Sequence, residues 1–295
     1  MSITTGDFRS KITASTLLEK KQHQELITCL TAYDYASARL VDEAGIDMVL
    51  VGDSLGMVML GYENTLPVTM QEMLHHTRAV RRGVKRAFLI ADMPFASYHV
   101  SLRETLRNAA RFVKDAGAEA VKLEGGERRA PLVERLVEAE IPVVGHIGLT
   151  PQSLHAMGGY KVQGKTLKAS QQLMHDAIAL ERAGACCVVL EGIPREVAAM
   201  ITGELEIPTI GIGAGPECDG QVLVLHDLLG LTFAPPAKFV RRYANLGSLI
   251  SDAVLAFKDD VKSGAYPSDA ESYHLPEETL SSLQVIAERK RAVQL

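Results

Sequence analysis

The sequence contains no tryptophan, few other aromatic residues and four cysteines among its 295 residues. The cysteines show no C-x-x-C spacing, so we expect neither a disulfide framework nor a cysteine-based zinc site. No apolar run approaches the roughly 20 residues of a membrane-spanning helix, and residues 1–15 lack the apolar centre of a signal peptide. These absences together predict a cytoplasmic protein whose cysteines stay reduced.

Long basic runs are also missing, and the net charge at neutral pH is −5. We therefore expect neither nucleic acid nor an anionic membrane surface as a partner. Hydrophobic residues make up 47% of the chain, which is enough for one large domain or two small ones.

Short apolar runs alternate with amphipathic segments between residues 25 and 233. A short apolar run bounded by turn residues is typical of a strand buried on both faces, as in parallel sheets. The predicted strands are 27–31, 48–52, 88–91, 120–123, 143–146, 187–190, 209–212 and 222–225. The predicted helices between them are 36–43, 70–82, 102–115, 129–138, 169–182 and 195–204.

Acidic residues follow or end four of these apolar runs, at Asp53, Asp92, Glu124 and Glu191. A carboxylate at the carboxyl end of a buried strand has little structural reason to be there. In parallel α/β folds this is the edge where metals and substrates bind. The repeated acids therefore indicate an active site.

Glycine follows the last turn of three predicted helices, at Gly45, Gly117 and Gly184, and the next strand begins at once. About eight such units of strand and helix predict an α/β fold, the (β/α)8 or TIM barrel. The alternative is a doubly wound open sheet, which gathers ligands where the strand order reverses. We favour the barrel because the acids follow strands two, three, four and six, and closure brings these ends to one axis.

The chain after Pro235 changes character, with further helices predicted at 245–262 and 277–292. We expect a single barrel domain over residues 1–295, in which residues 264–295 form a C-terminal extension with additional helices.

Asp53, Asp92 and Glu124 offer hard oxygen ligands and no soft ones, a set that favours Mg²⁺ or Mn²⁺ over zinc. The alternative is that each acid caps the N-terminus of the helix that follows it. Because all three occupy equivalent positions at strand ends, we expect a metal site.

Lys122 lies two residues before Glu124, so alternation along a strand directs both side chains to the same face. A lysine directed into a barrel needs an anion, which a substrate carboxylate or the acidic cluster would supply. Glu191 could be a fourth ligand or a general base, and a base works best off the metal. His146 ends the fifth strand at the same edge, where it could contact substrate or be structural.

Residues 159–166 match the phosphate-binding pattern G-x-x-x-x-G-K-T. A true P-loop leaves a strand directly and opens a helix, whereas here the segment 150–153 intervenes as a helix cap. We interpret this segment as a lid or a substrate-side loop, not as a nucleotide site.

The residues at the strand ends lie in local sequences that resemble those of the ketopantoate hydroxymethyltransferase (3-methyl-2-oxobutanoate hydroxymethyltransferase) family. The similar stretches are 31–35 (TAYDY), 51–57 (VGDSLGM), 66–69 (LPVT), 121–126 (VKLEGG), 145–153 (GHIGLTPQS), 158–164 (GGYKVQG), 211–215 (GIGAG) and 219–221 (DGQ). The one departure is the tail beyond His274, which is longer than the family pattern.

The resemblance implies a (β/α)8 barrel that transfers a hydroxymethyl group from 5,10-methylenetetrahydrofolate to 3-methyl-2-oxobutanoate. The product would be 2-dehydropantoate, on the route to pantothenate and coenzyme A. The family also implies Mg²⁺, which would stabilise an enolate of the 2-oxo acid, and a ring-like homo-oligomer, typically a homodecamer.

Carried over position by position, the resemblance assigns Asp53, Asp92 and Glu124 to the metal and Glu191 to proton abstraction from C3. Residues expected on the substrate side are Asp53, Ser54, Asp92, Lys122 and His146.

A different enzyme class is the alternative: a Mg²⁺-dependent C–C lyase of the phosphoenolpyruvate mutase and isocitrate lyase type. Such enzymes usually use a cysteine in a mobile loop, and Cys218 is the one candidate here. A ligand-binding barrel without turnover is a third possibility, against which the presence of Glu191 argues.

Overall fold

The computed structural model describes residues 10–293 and shows eight parallel strands, each paired with the next in chain order and the eighth with the first. This closed barrel confirms the predicted (β/α)8 fold and excludes the open sheet. The strands are β1 (Ile27–Thr31), β2 (Met48–Val51), β3 (Phe88–Asp92), β4 (Ala120–Glu124), β5 (Val143–Gly148), β6 (Cys187–Glu191), β7 (Thr209–Ile212) and β8 (Gly220–Leu223).

The predicted helices are all present, with ends that differ by at most two residues from those expected, and residues 10–293 contain four further α-helices. In chain order the helices are α1 (Ala14–Gln22), α2 (Tyr35–Glu43), α3 (Leu55–Val58), α4 (Met70–Gly83), α5 (Leu102–Ala116), α6 (Ala130–Glu138), α7 (Leu154–Met157), α8 (Leu167–Arg182), α9 (Arg195–Glu204), α10 (Leu225–Leu229), α11 (Leu246–Ser263) and α12 (Glu277–Val293).

Helix α5 shows how local sequence sets these boundaries. Ser101 precedes the helix, and its hydroxyl accepts a hydrogen bond from the Glu104 N–H. Buried residues recur every three or four positions, as at Ala109 and Phe112, so one face packs on the sheet. Gly117 ends the helix with φ of +74°, a left-handed conformation that glycine adopts at little cost.

Alternate residues of each strand divide the core into two layers. Residues such as Leu50, Ile90 and Val189 form the interior of the barrel, whereas their neighbours pack against the surrounding helices. Ile12 and Leu17 belong to the interior cluster, so the chain around α1 closes the amino-terminal end of the barrel. The opposite, carboxyl-terminal end is where polar residues replace this apolar interior.

The last strand begins two residues earlier than the predicted 222–225. Gly220 is paired with Ile27 of β1 and with Ile210 of β7, and a Cβ atom at Gly220 would lie 2.5 Å from the Ile27 carbonyl oxygen. Leu225 instead begins α10, and its N–H donates to Thr31 Oγ1 at 3.0 Å. The neighbouring strands, and not the apolar run, therefore set the start of β8.

Two compact units make up the chain, the first ending at Ala244 and the second beginning at Asn245. The first contains the barrel, and the second contains α11 and α12, in which no side chain described is buried. The extension expected over residues 264–295 falls within the second unit. Residues 1–9, part of the segment expected to lack a signal peptide, and residues 294–295 lie outside the described range. Within that range, no helix is both long and apolar enough to cross a membrane.

Candidate active site

The alternation of β3 to β6 carries polar side chains into the barrel interior at its carboxyl-terminal end. Lys122 and Glu124 continue the inward series that Ala120 begins in β4, and Asp92 continues that of Ile90 in β3. His146 in β5 and Glu191 in β6 occupy the same inward register, and Asp53 follows β2 by two residues. The barrel geometry thus brings these predicted site residues together.

An ion pair occupies the centre of this group. Lys122 Nζ lies 2.7 Å from Asp92 Oδ1, and both side chains are about 95% buried, at 6% and 4% exposure. Asp92 Oδ2 accepts the Asp53 N–H at 3.1 Å, so β2 and β3 are joined at the same carboxylate. Lys122 Nζ also lies 3.2 Å from His146 Nδ1. The lysine therefore faces the acids and not the outer helical layer, as alternation predicted.

His146 lies between two carboxylates. Its Nδ1 is 3.5 Å from Glu124 Oε1, and its Nε2 is 3.2 Å from Glu191 Oε2. The second pair is close but poorly aligned for a hydrogen bond. Burial and Lys122 each lower the pKa of His146, but the Glu124 and Glu191 carboxylates outweigh them and raise it to about 9. The two carboxylates thus favour the protonated imidazole, whereas the Lys122 ammonium group beside Nδ1 opposes it, and the ring joins Glu191 to the other acids.

Burial and mutual repulsion shift the acids themselves. Burial raises the pKa of Asp53 well above its usual range, and the nearby Asp92 and Glu124 carboxylates raise it further. Burial also raises the pKa of Asp92, although Lys122 opposes the shift. For Lys122, burial lowers the pKa, but the three carboxylates prevail and raise it above the usual value. If all three ionise, the carboxylates carry two more negative charges than Lys122 neutralises.

The donor set fits a hard divalent cation, which would neutralise this excess. Within residues 10–293, no three His, Cys, Asp or Glu side chains stand close enough to hold a metal by themselves. Mg²⁺ does not require such a cage, because it usually keeps several waters and uses one or two carboxylates together with substrate oxygens. The residues present therefore fit Mg²⁺ better than a metal that demands a complete set of protein ligands.

Ser54 lies beside the acids, where its Oγ is 2.8 Å from the hydroxyl of the fully buried Tyr33. Tyr33 comes from the end of β1, so the hydroxyl pair links a second strand end to the site. Tyr33 was not predicted as a site residue, because its only distinguishing feature in the sequence is its place in the 31–35 stretch.

Gln152 and Tyr98 are two further residues that reasoning from the sequence missed. The Gln152 amide donates to Asp53 Oδ2 at 2.9 Å, and its backbone N–H donates to Glu124 Oε2 at 3.0 Å. The Tyr98 hydroxyl donates to Gln152 Oε1 at 2.6 Å. Uncharged side chains that lie far apart in the chain form no recognisable sequence pattern. The only signal was therefore that Gln152 lies within the 145–153 stretch.

The segment that matches a P-loop does not have the structure of one. Residues 159–166 follow the short helix α7, not a strand, and two of their N–H groups already have backbone partners. The Gly159 N–H donates to the Leu154 carbonyl and the Gln163 N–H to the Gly192 carbonyl. These N–H groups therefore do not converge on a phosphate-sized space. Partial burial, together with the Asp53 and Glu191 carboxylates, raises the pKa of Tyr160, so this loop lies near the mouth of the barrel.

Cys218 lies two residues before β8, at the amino-terminal end of the barrel and away from the acids. It is buried, and this burial raises the pKa of its thiol. A buried thiol with a raised pKa at the wrong end of the barrel does not suit the mobile acid of the lyase alternative.

The sequence profile of the ketopantoate hydroxymethyltransferase family matches residues 11–269. The chain belongs to this family. A 3-methyl-2-oxobutanoate hydroxymethyltransferase from Koribacter versatilis (strain Ellin345) is 73% identical over 293 residues, which cover 99% of both chains. A second, from Syntrophomonas wolfei subsp. wolfei, is 53% identical over 274 residues, 93% of this chain and 99% of the relative. The prediction of an enzyme of the hydroxymethyltransferase class is confirmed.

Two solved structures that share the fold are much more distant in sequence. A phosphonopyruvate hydrolase in complex with oxalate and Mg²⁺ has a TM-score of 0.57 and 16% identity, covering 96% of this chain and 98% of its own. A 2,3-dimethylmalate lyase of the PEP mutase/isocitrate lyase superfamily has a TM-score of 0.57 and 18% identity, covering 95% and 98%. At such identity the likeness extends to the barrel fold alone.

Proposed function

We propose that this enzyme transfers a hydroxymethyl group from 5,10-methylenetetrahydrofolate to 3-methyl-2-oxobutanoate, giving 2-dehydropantoate for pantothenate biosynthesis. Membership of the family and the names of the close relatives support this reaction. The observation that carries the proposal is the convergence of Asp92, Lys122, Glu124 and Glu191 at one end of the barrel.

The 2-oxo acid is the substrate that these residues would bind. Lys122 supplies a buried positive charge for the substrate carboxylate, and the Ser54 hydroxyl supplies a hydrogen bond to the same group. His146, between Glu124 and Glu191, would hold the Glu191 carboxylate in place beside the substrate. These groups would orient the acid so that its C3 hydrogen points toward β6.

Glu191 is the proposed general base. Its side chain is 17% exposed, more than those of the other acids, and it stands apart from the Lys122–Asp92 ion pair. It can therefore take the C3 proton while the remaining acids stay with their own partners. Water would release the one-carbon unit from the folate, breaking its two C–N bonds and leaving tetrahydrofolate and a carbonyl carbon at the oxidation level of formaldehyde. The electron pair released at C3 forms the new C–C bond to that carbon, and its oxygen, which comes from water, takes the proton back from Glu191 to become the hydroxyl.

Asp53, Asp92 and Glu124 are the residues that would hold Mg²⁺, directly or through water. The ion would act as a Lewis acid that draws charge from the keto oxygen of the substrate. Lys122 and the cation would together balance the three carboxylates.

The proposal extends to assembly and location. Helix α11 exposes Ile250, Val254, Phe257 and Val261, and their spacing puts them on one side of the helix. Such a stripe supports association with further copies of the chain, and the homodecamer of the family is the proposed form. The four cysteines are all unpaired, which supports a reducing, cytoplasmic location.

Hydrogen exchange at C3 tests the reaction directly. The enzyme should remove deuterium from C3-labelled 3-methyl-2-oxobutanoate when Mg²⁺ is present, and should form product only when the folate is added. Exchange that continues unchanged after complete metal removal would contradict the metal-assisted reaction. Cleavage of a C–C bond in a 2-oxo acid without folate would instead favour the lyase alternative.

A further inference from the structure

Two of the acids at the barrel mouth are held by Gln152, in the single 3-10 turn Pro151–Ser153 that follows β5. We propose that Gln152 is a positioning residue that fixes Asp53 and Glu124 relative to each other for binding of a divalent cation. This inference rests on the proposed function, to which the cation belongs.

Gln152 contacts both acids at once, through different atoms. Its side-chain Nε2 donates to Asp53 Oδ2 at 2.9 Å and to the Met93 carbonyl at 2.9 Å. Its backbone N–H donates to Glu124 Oε2 at 3.0 Å. One residue of the loop after β5 therefore joins an acid that follows β2 to the acid that ends β4, and Met93 joins β3, the strand between them, to the same residue.

The hydrogen bonds around Gln152 allow one arrangement of the amide. The carbonyl of Met93 can only accept, so the amide nitrogen must face it and Asp53. The Tyr98 hydroxyl donates its hydrogen to Gln152 Oε1 at 2.6 Å, and the Tyr98 oxygen accepts the Glu124 N–H at 3.2 Å. Reversing the amide would put oxygen against oxygen at Met93, so Tyr98 and Met93 fix the donor toward Asp53.

The consequence is that one carboxylate oxygen of Asp53 is hydrogen-bonded to the protein, and this bond sets the orientation of the carboxylate. Within residues 10–293, Asp53 Oδ2 accepts the Gln152 amide and no hydrogen bond is made to Oδ1. Gln152 is only 5% exposed, so water does not replace it as the donor. A neutral donor suits this place, because a second lysine would compete with a cation for the same carboxylates. Outer residues that orient metal ligands in this way are a general feature of metal sites.

The test compares Gln152→Met with Gln172→Met. Methionine keeps the length of the side chain and removes its hydrogen bonds. Gln172 lies on the surface of α8 and also donates to an aspartate, Asp176, at 3.2 Å. Mn²⁺ serves as the probe, with free ion measured by electron paramagnetic resonance alongside the thermal unfolding midpoint and kcat and KM. We expect Gln152→Met to weaken Mn²⁺ binding by about 10- to 100-fold and to lower kcat, while Gln172→Met leaves both unchanged.

Unchanged Mn²⁺ affinity in a folded Gln152→Met protein, with only a lower unfolding midpoint, would overturn the inference and leave Gln152 as a structural residue. If that variant does not fold, Tyr98→Phe decides: removing the one hydroxyl should weaken Mn²⁺ binding about 2- to 10-fold, and equal affinity would again overturn the inference. A wild-type protein that binds no Mn²⁺ would refute the metal site of the proposed function itself. If the wild type binds Mn²⁺ and Gln152→Met binds it equally well, only the positioning role of Gln152 is refuted.

Discussion

At the scale of single residues, the barrel mouth holds carboxylates that the protein alone does not neutralise. Asp53 lies beside Asp92 and Glu124 with Lys122 as the nearby ammonium group, and burial with this repulsion raises the pKa of Asp53. Binding of a divalent cation requires the ionised carboxylate, so the cation and the proton compete for the same oxygens.

Mg²⁺ affinity is therefore predicted to depend on pH. A carboxyl with a raised pKa keeps its proton to a higher pH, so affinity should fall as pH falls, beginning above the ordinary carboxyl range near about 4. Calorimetry in buffers of different ionisation enthalpy should detect the protons released on binding.

Asp53→Asn or Asp92→Asn should abolish binding and nearly all turnover, whereas Asp252→Asn on α11 should change neither. Affinity that is independent of pH, or full turnover of either variant in metal-depleted buffer, would contradict the metal site.

The role of Glu191 predicts a separate effect. Glu191→Gln keeps the shape of the side chain and removes the base, so the rate of C3 exchange should fall by about 10²- to 10⁴-fold with little change in substrate binding. The exposed Glu134→Gln on α6 is the control. Exchange at the normal rate in Glu191→Gln would move the base to another group, with His146 the next candidate.

At the scale of elements, the loop between α7 and α8 is predicted to act as a lid over the barrel mouth. Gly158 and Gly159 have positive φ angles of 66° and 110°, and a Cβ at Gly159 would meet no atom within 4 Å. The loop is held to the end of β6 by the Gln163 N–H, which donates to the Gly192 carbonyl at 2.9 Å. These features suit a segment that closes over bound substrate and excludes water.

The lysine of the P-loop pattern is predicted to be dispensable. Lys165 is exposed, so Lys165→Ala should change turnover by no more than about twofold, since exposed substitutions usually alter free energies by about 0.5 kcal/mol. The steady-state rate with the 2-oxo acid and the folate measures this. Tight ATP binding by the wild type that is lost in Lys165→Ala would restore the nucleotide interpretation.

Sequence patterns predicted the ends of several helices correctly but did not predict the shortest helices. The glycines at 45, 117 and 184 all have positive φ, as their places after helices predicted. The short helices α3, α7 and α10 were not predicted, because each has only four or five residues and no repeated apolar spacing.

At the scale of the whole molecule, the apolar stripe of α11 is half exposed in the single chain. Ile250, Val254, Phe257 and Val261 are 48–60% exposed, and none of the residues of α11 is buried. A second copy that covers the stripe would remove this apolar area from water.

Charge in this stripe should therefore break the assembly. Val254→Asp combined with Val261→Asp should shift the protein from a large oligomer to smaller species, because each buried valine contributes about 1.5–3 kcal/mol and a buried charge adds a cost. Light scattering after size-exclusion chromatography measures the mass. Asp252→Lys, on the other side of the helix, should leave it unchanged. The proposed assembly is wrong if the double variant keeps the wild-type mass.

The sequence by itself determined the repeated units, the barrel and the acids at its mouth. Strand and helix periods and glycine caps are local properties, and a strand's period of two already directs Lys122 and Glu124 the same way. Only the tertiary structure decided that Gln152 and Tyr98 join these acids, that β8 begins at Gly220, and that His146 stands between Glu124 and Glu191. These contacts join residues far apart in the chain, and their geometry is set by closure of the barrel, which no local pattern encodes.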